Sequence, residues 1–337
     1  MLKLALYGCG NIAQDHLRGI GEAAGRTRVA AVIDADHERA AAMAQATGAP
    51  AFASFDDALA HAAFDAVDIM LPHDLHESAT MQAFAAGKHV LLEKPMSTTL
   101  ESAERILTAA RASGRVFMIA EQAEYWPDAR LIRSLIRDGT LGDVITARSF
   151  FGSPAGARGG PKPWRFFLNR MGGGIVIDGG AHWIRPLRMW MGEIVEVVAV
   201  TGRPFEEMEG ESLARALLRF ESGAVASFDA LFGGAYLGPG EEFRITGTRA
   251  EVIVERGPTG RVLLYDERNP QGETLMHKNP GRSQAFGFEL LDFERAVLDG
   301  KAPDATPEYS LGELRAALAI ARSAHSGRWE RSGVNSG

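Results

Sequence analysis

The run Gly172-Gly173-Gly174-Ile175-Val176-Ile177-Asp178-Gly179-Gly180-Ala181-His182 joins a glycine cluster, a short β-branched apolar segment, and a carboxylate four residues before an imidazole. If a helix starts near Asp178, positions i and i+4 share a face. Asp178 would then fix the tautomer of His182 and favour its charged form, which makes the ring a good proton acceptor near neutral pH. A helix cap followed by a surface histidine accounts for the same residues, and for this run alone it is the commoner meaning. Two other stretches bear on the choice.

The first is Gly8-Cys9-Gly10-Asn11-Ile12-Ala13. It follows an apolar run, Leu2 to Tyr7, that reads as a buried strand, and it opens a helical segment. This is G-x-G-x-x-A in the strand–turn–helix setting that a dinucleotide site requires. Gly8 permits the tight turn, Gly10 lets backbone approach a pyrophosphate, and Ala13 lets helix pack on strand. The N–H groups of Asn11 and Ile12 begin a helix end that attracts anions. A second strand, Val29 to Ile33, ends in Asp34, where a carboxylate would accept hydrogen bonds from ribose hydroxyls and repel a 2′-phosphate. The expected cofactor is therefore NAD rather than NADP.

The second is Glu93-Lys94-Pro95, directly after the apolar strand His89 to Leu92. Pro95 biases Lys94 towards an extended backbone. Lys94 can hydrogen-bond a substrate hydroxyl and stabilise the alkoxide that forms there. His76 opens a helix after Pro72 at the same sheet edge, and either a cofactor contact or a local structural role suits it.

These residues need a frame. From Leu2 to Ala120, apolar strands alternate with helical segments, which implies a parallel sheet with helices on both faces. Ligands bind at the carboxyl ends of such strands. Three loops leave those ends: Gly8 to Ala13, Pro72 to His76, and Glu93 to Pro95. Beyond Glu121 the pattern changes to strands joined by short turns, including Glu221-Ser222-Gly223 and Gly247-Thr248, which predict antiparallel hairpins. The fold class is α/β: a Rossmann domain over 1–121, then an α+β domain with a large, mostly antiparallel open sheet over 122–331, and a loose tail over 332–337. Such a sheet needs its second face covered, so a homo-oligomer, dimer or tetramer, is expected through it.

Composition narrows the function classes. The chain has 337 residues, a net charge of −7 and one cysteine, Cys9. That excludes a disulfide framework and a cysteine-based zinc site, and argues against a general nucleic-acid binder. No metal site is expected. No apolar run approaches a membrane span, and the start of the chain holds no signal-peptide core, so a cytoplasmic protein without a membrane partner is expected.

The whole pattern resembles the Gfo/Idh/MocA oxidoreductases. The resemblance rests on Gly8–Ala13, Asp34, Pro72 with His76, the run from Ala86 through Gly87-Lys88-His89-Val90 to Glu93-Lys94-Pro95, and Gly172–His182. It implies a Rossmann domain that carries NAD(P) and a second domain that carries a sugar, cyclitol or related polyol. It assigns Lys94, Asp178 and His182 to catalysis and places Trp164 and Arg165 near substrate. Many members hold Asp where this chain has Arg185, and Asn where it has His73; Pro186 adds an expected kink or late helix start.

The residues thus predict an NAD-dependent dehydrogenase of a secondary hydroxyl. A lyase or glycosidase using transient oxidation by NAD, or a non-catalytic cofactor-binding sensor, are the alternatives. The region from Ala155 to Gly192 holds Arg158, Lys162, Arg165, Arg170, Arg185 and Arg188, with Asp178 its one acid. Either these face solvent and distant acids, or Arg165 or Arg185 reaches the pocket and reads an anionic group on the substrate.

Overall fold

The computed structural model describes residues 1–22, 25–154, 163–234, 240–278 and 281–333. Two compact units divide them: residues 1–122 with 283–311, and residues 123–282 with 312–337.

In the first unit the strands are β1 (Leu2–Tyr7), β2 (Thr27–Ile33), β3 (Ala51–Phe52), β4 (Ala66–Ile69), β5 (His89–Glu93) and β6 (Phe117–Ala120). They pair in parallel in the order β3-β2-β1-β4-β5-β6. This is the doubly wound order whose connections diverge on either side of β1 and β4, which opens a crevice at the carboxyl ends. Strands buried on both faces read as unbroken apolar runs, and β4, β5 and β6 do so apart from Asp68, His89 and Glu93. The connecting helices are α1 (Asn11–Glu22), α2 (His37–Thr47), α3 (Phe55–His61), α4 (His76–Ala85) and α5 (Leu100–Ser113). Asp36 caps α2 and Thr99 caps α5.

The second unit contains α6 (Pro127–Arg137), β7 (Val144–Ser153), α7 (Leu168–Met171), α8 (Ala181–Met191), β8 (Ile194–Gly202), β9 (Leu213–Phe220), β10 (Val225–Phe232), β11 (Glu241–Gly247), β12 (Ala250–Glu255), β13 (Arg261–Asp266) and β14 (Glu273–His277). After α9 (Ala285–Asp299), which belongs elsewhere, come α10 (Leu311–Ser326) and β15 (Glu330–Arg331). The nine strands run β14-β13-β12-β11-β7-β10-β9-β8-β15. Every pair is antiparallel except β7 with β10. The two expected hairpins are β9–β10 and β11–β12. Strict alternation along β9 and β10 turns Ala214, Ala216, Leu218, Ala226, Phe228 and Ala230 into the core.

The expectation that everything past 121 forms the second domain is corrected for residues 283–311. Helix α9 packs along α1, because Gly19 has no side chain: a Cβ there would lie 2.8 Å from Leu290 and from the backbone of Phe286. Arg26 then reaches Glu294 at 3.0 Å and Asp299 at 2.8 Å. At the end of the chain, Ser332 is tied by its N–H to Val195 at 2.9 Å, and residues 334–337 lie outside the described residues.

Helix α9 also buries Glu289, whose two carboxyl oxygens have no hydrogen-bond partner among the described residues. Burial first, opposed by His16 and reinforced by Glu93, Glu121 and Asp68, holds its pKa well above the ordinary 4.5. The native state therefore keeps a proton that the unfolded chain releases above that value. Stability must fall as pH rises from there towards the raised native value, by about 1.4 kcal/mol per pH unit for one proton. Glu289→Gln removes this dependence. Its melting temperature should exceed wild type by a margin that widens as pH rises from the ordinary 4.5 towards the raised native value; a constant margin would mean that the native carboxyl is ionised.

Among the described residues no helix is long and apolar enough to cross a membrane, and no group of three or more His, Cys, Asp or Glu side chains is placed to hold a metal ion.

Candidate active site

In the first unit, β1 delivers the chain to Gly8, whose φ of +101° and contact with Met70 (a Cβ would lie 2.5 Å from its carbonyl oxygen) leave no room for another residue. Gly10 is the opposite case: nothing lies within 4 Å of the position a Cβ would take. That open space borders the first turn of α1, whose leading N–H groups have no intrahelical acceptor. Ala13 is fully buried against the sheet. At the end of β2, Asp34 Oδ2 accepts the Cys9 N–H at 2.7 Å and Oδ1 accepts the Asp36 N–H at 2.8 Å, so backbone donors aim the carboxylate beside the glycine loop. Cys9 itself is buried, and burial, with Asp34 adding to it, pushes its thiol up to about 12; the thiol is not a nucleophile near neutral pH. An open Gly10, a helix N-terminus and a carboxylate at the end of β2 are the features that a dinucleotide site requires, and Gly8–Ala13 and Asp34 are the residues that would hold it.

Lys94 leaves the carboxyl end of β5, half-buried, and its peptide bond to Pro95 is cis. The expected cofactor contact of His76 gives way to a structural role. Its ring is fully buried, with Nδ1 2.8 Å from the Pro95 carbonyl and Nε2 2.9 Å from that of Leu71. Burial lowers its pKa, which favours a neutral ring with one N–H to donate. His76 thus ties the start of α4 to the segment after Lys94 and to the residue before Pro72.

In the second unit, Asp178 and His182 sit at a change of helix type. Val176–Gly180 forms a π-helical turn, and α8 begins at Ala181. Such π turns recur at functional sites because they re-aim side chains. Pro186 lies inside α8 and has no N–H to give to the carbonyl of His182, four residues earlier. The glycines allow close packing: a Cβ on Gly174 would collide with Glu211, and one on Gly179 with the Phe151 ring. Glu211, which the sequence did not single out, accepts the Val176 N–H at 3.2 Å. Burial raises its pKa, against hydrogen bonds from its own backbone, Val176 and Gly174.

Arg165 Nε lies 3.6 Å from Asp178 Oδ2, and the guanidinium sits 5.2 Å from the centre of the Trp164 ring. Trp164, Arg165 and Asp178 are therefore neighbours. One turn past Asp178, the His182 ring is 6.2 Å from that of Trp126, a residue that the sequence does not single out. Trp126 in turn lies against Trp183 and beneath the Arg282 guanidinium, 3.7 Å from its ring centre.

Arg185 does not reach a pocket. It is 0% exposed and pairs with Glu124 at 3.2 Å and Glu313 at 2.9 Å, both in its own unit. Arg188 shares Glu313 and binds Glu193. The expected substrate contact of Arg185 is corrected accordingly: its fork is committed to interior carboxylates. Arg158 and Lys162 lie outside the described residues.

A parallel sheet with a glycine-rich first turn and an acidic residue ending the second strand defines a dinucleotide-binding protein. Residues 2–121 match the oxidoreductase family with an NAD-binding Rossmann fold, and residues 129–253 match the GFO/IDH/MocA C-terminal domain. The 1,5-anhydro-D-fructose reductase of Ensifer adhaerens is 30% identical over 337 residues, 97% of this chain and 98% of that one. An inositol 2-dehydrogenase of Leifsonia xyli subsp. xyli is 33% identical over 155 residues, 46% of each chain. The structure of levoglucosan dehydrogenase with NADH and levoglucosan superposes with a TM-score of 0.89 at 21% identity, covering 98% of this chain and 99% of that one. The chain belongs to the Gfo/Idh/MocA family and is an NAD(P)-dependent oxidoreductase.

Proposed function

We propose that the protein is an NAD-dependent dehydrogenase that oxidises a secondary hydroxyl of a sugar, cyclitol or related polyol, or reduces the corresponding ketone. The observation that carries the reading is the placement of Lys94: it leaves β5 at the sheet edge from which the Gly8–Ala13 loop leaves β1. His182 takes the hydroxyl proton, and Asp178 orients the ring and stabilises its charge. Lys94 donates a hydrogen bond to the same oxygen and stabilises its developing negative charge. The nicotinamide, when bound, supplies the hydride acceptor. Trp164 and Arg165 border substrate on the Asp178 side. The relatives named for 1,5-anhydro-D-fructose, inositol and levoglucosan support a sugar-like substrate.

The test is turnover of NAD or NADP with levoglucosan and myo-inositol, and of the reduced nucleotides with 1,5-anhydro-D-fructose. At least one sugar should change the nicotinamide absorbance, with higher kcat/KM for the NAD form. Asp34→Ala should narrow that preference, because the carboxylate accepts bonds from free ribose hydroxyls and repels a 2′-phosphate. A wild-type preference for NADP would reject the role of Asp34. Product without net NADH would point to a lyase using transient oxidation, and binding without chemistry to a sensor.

The same reading includes a homo-oligomer through the nine-stranded sheet. The outward face of β8 and β9 leaves Val200 63% and Leu217 45% exposed, apolar surface that a second subunit would cover. Sedimentation of the full chain should give a dimer or tetramer; a monomer at micromolar concentration would reject it.

A further inference from the structure

His16 is the one residue of α1 that meets two carboxylates in the interior of the sheet. It is 0% exposed. Its Nδ1 lies 2.8 Å from Asp68 Oδ2 on β4, and its Nε2 lies 3.0 Å from Glu93 Oε1 at the end of β5. The Phe286 ring of α9 packs on it at 5.6 Å between centres, and Glu289 of α9 and Glu121 after β6 complete the ionisable surroundings. No catalytic step so far uses any of these groups.

The residue after Glu93 is Lys94. We propose that His16 is a positioning residue for Lys94: by clamping Glu93 to Asp68 it fixes the carboxyl end of β5, so that the lysine amine leaves the sheet edge in one direction. The inference rests on the reading that Lys94 holds the substrate oxygen. The far side of Lys94 is fixed in a matching way, since the Pro95 carbonyl faces His76 Nδ1. Two buried imidazoles thus bracket the lysine, one acting on the residue before it and one on the residue after it.

The chemistry of the clamp is specific to an imidazole. Both ring nitrogens face carboxylates, and only an imidazolium offers an N–H to each. Burial lowers the His16 pKa, but the charges and hydrogen bonds of Asp68 and Glu93 outweigh it and hold it well above the ordinary 6.5. Burial raises the pKa of the neighbouring Glu289 carboxyl, and the ring lies between the carboxyls of Asp68 and Glu93. Without the cation, Glu93 and Asp68 would be two buried carboxylates with a third acid nearby. Their repulsion and unmet hydration would act on the end of β5, the backbone that carries Lys94. A displacement there of about 1 Å is enough to cost on the order of 10²-fold in rate.

The test compares wild type, His16→Gln, Glu93→Gln and the double variant, with Lys94→Ala as a separate control. In the full-length protein without added nucleotide, ¹⁵N spectra of the histidine rings should show both His16 nitrogens protonated at neutral pH. A neutral His16 ring would overturn the clamp. Reductive ¹³C-methylation should give one narrow Lys94 signal in wild type, absent from Lys94→Ala, and a shifted or broadened one in His16→Gln and Glu93→Gln; an unchanged signal would also overturn it. On the sugar that is turned over, each single variant should lower kcat about tenfold or more with KM nearly unchanged. The double variant should be no worse than either single one, because both remove the same clamp. NADH fluorescence titration checks that the nucleotide site is intact, and a variant that merely loosens the fold would lower the active fraction and leave the Lys94 signal of the folded protein unmoved. Wild-type turnover by Lys94→Ala would reject the catalytic reading instead, and the spectra would still decide the clamp.

Discussion

Alanine at His182 should lower kcat by roughly 10²–10⁴-fold, the range spanned by a general acid–base group, and alanine at Lys94 should lower it comparably. The roles differ, and so should the patterns. On the proposed mechanism His182 moves a proton in the transition state, so its loss should fall on kcat with little change in KM. On the same proposal Lys94 holds the reacting oxygen before and during the transfer, so its loss should lower kcat/KM further by weakening sugar binding. If both residues act on one oxygen, as proposed, the double variant should lose far less than the product of the two single losses. Asp178→Asn should fall between wild type and His182→Ala: it removes the proposed carboxylate orienter of the ring and its ion pair with Arg165, while the π-helical turn remains. Steady-state rates with the sugar that is turned over decide the matter. Turnover within about threefold of wild type in both single variants would reject these assignments, since general acid–base help alone exceeds that range.

What could be read in the sequence is local, and what could not is the partner of a side chain far along the chain. The glycine loop, Asp34 and the alternation up to Ala120 announce a parallel sheet, because each depends on residues within one strand–turn–helix unit. Hairpins at 221–223 and 247–248 are legible for the same reason. Strands β14 and β15 carry no such signal: β15 is two residues long and pairs with β8 across more than a hundred residues. Helix α9 lies in sequence among second-unit elements, and nothing in its own pattern says that its apolar side fits Gly19 of α1. The candidate site divides along the same line. Lys94, Asp178 and His182 stand out by spacing. Glu211, which holds the backbone ahead of Asp178, and Trp126, which lies beside His182, do not. His16 looks like any helical histidine until Asp68 and Glu93 are seen on either side of it. Arg185 and Arg188 show the converse: the sequence puts the two cations close together and their shared carboxylate as far away as position 313.

Glu313→Ala tests that last point with the largest stability change expected in this protein. Glu313 accepts from two interior guanidiniums, Arg185 at 2.9 Å and Arg188. Arg185 also pairs with Glu124, whose ionisation burial already disfavours against the help of Arg185 and Arg133. Arg188 keeps Glu193, which is partly exposed. Removing one anion from a buried pair leaves a cation without full compensation, and the usual cost is about 3–5 kcal/mol. Glu313→Gln, which keeps the shape and one acceptor, should cost less than alanine. All five tryptophans, Trp126, Trp164, Trp183, Trp190 and Trp329, lie in the second unit, so tryptophan fluorescence in urea follows the unit that holds this network. The urea midpoint should fall with little change in slope. The folded fraction of Glu313→Ala should keep wild-type KM for neutral and acidic sugars alike, because Arg185 serves the interior and not the substrate. A loss below about 1 kcal/mol would mean that water or another carboxylate reaches the two arginines. A selective loss of affinity for acidic sugars would return Arg185 to the substrate.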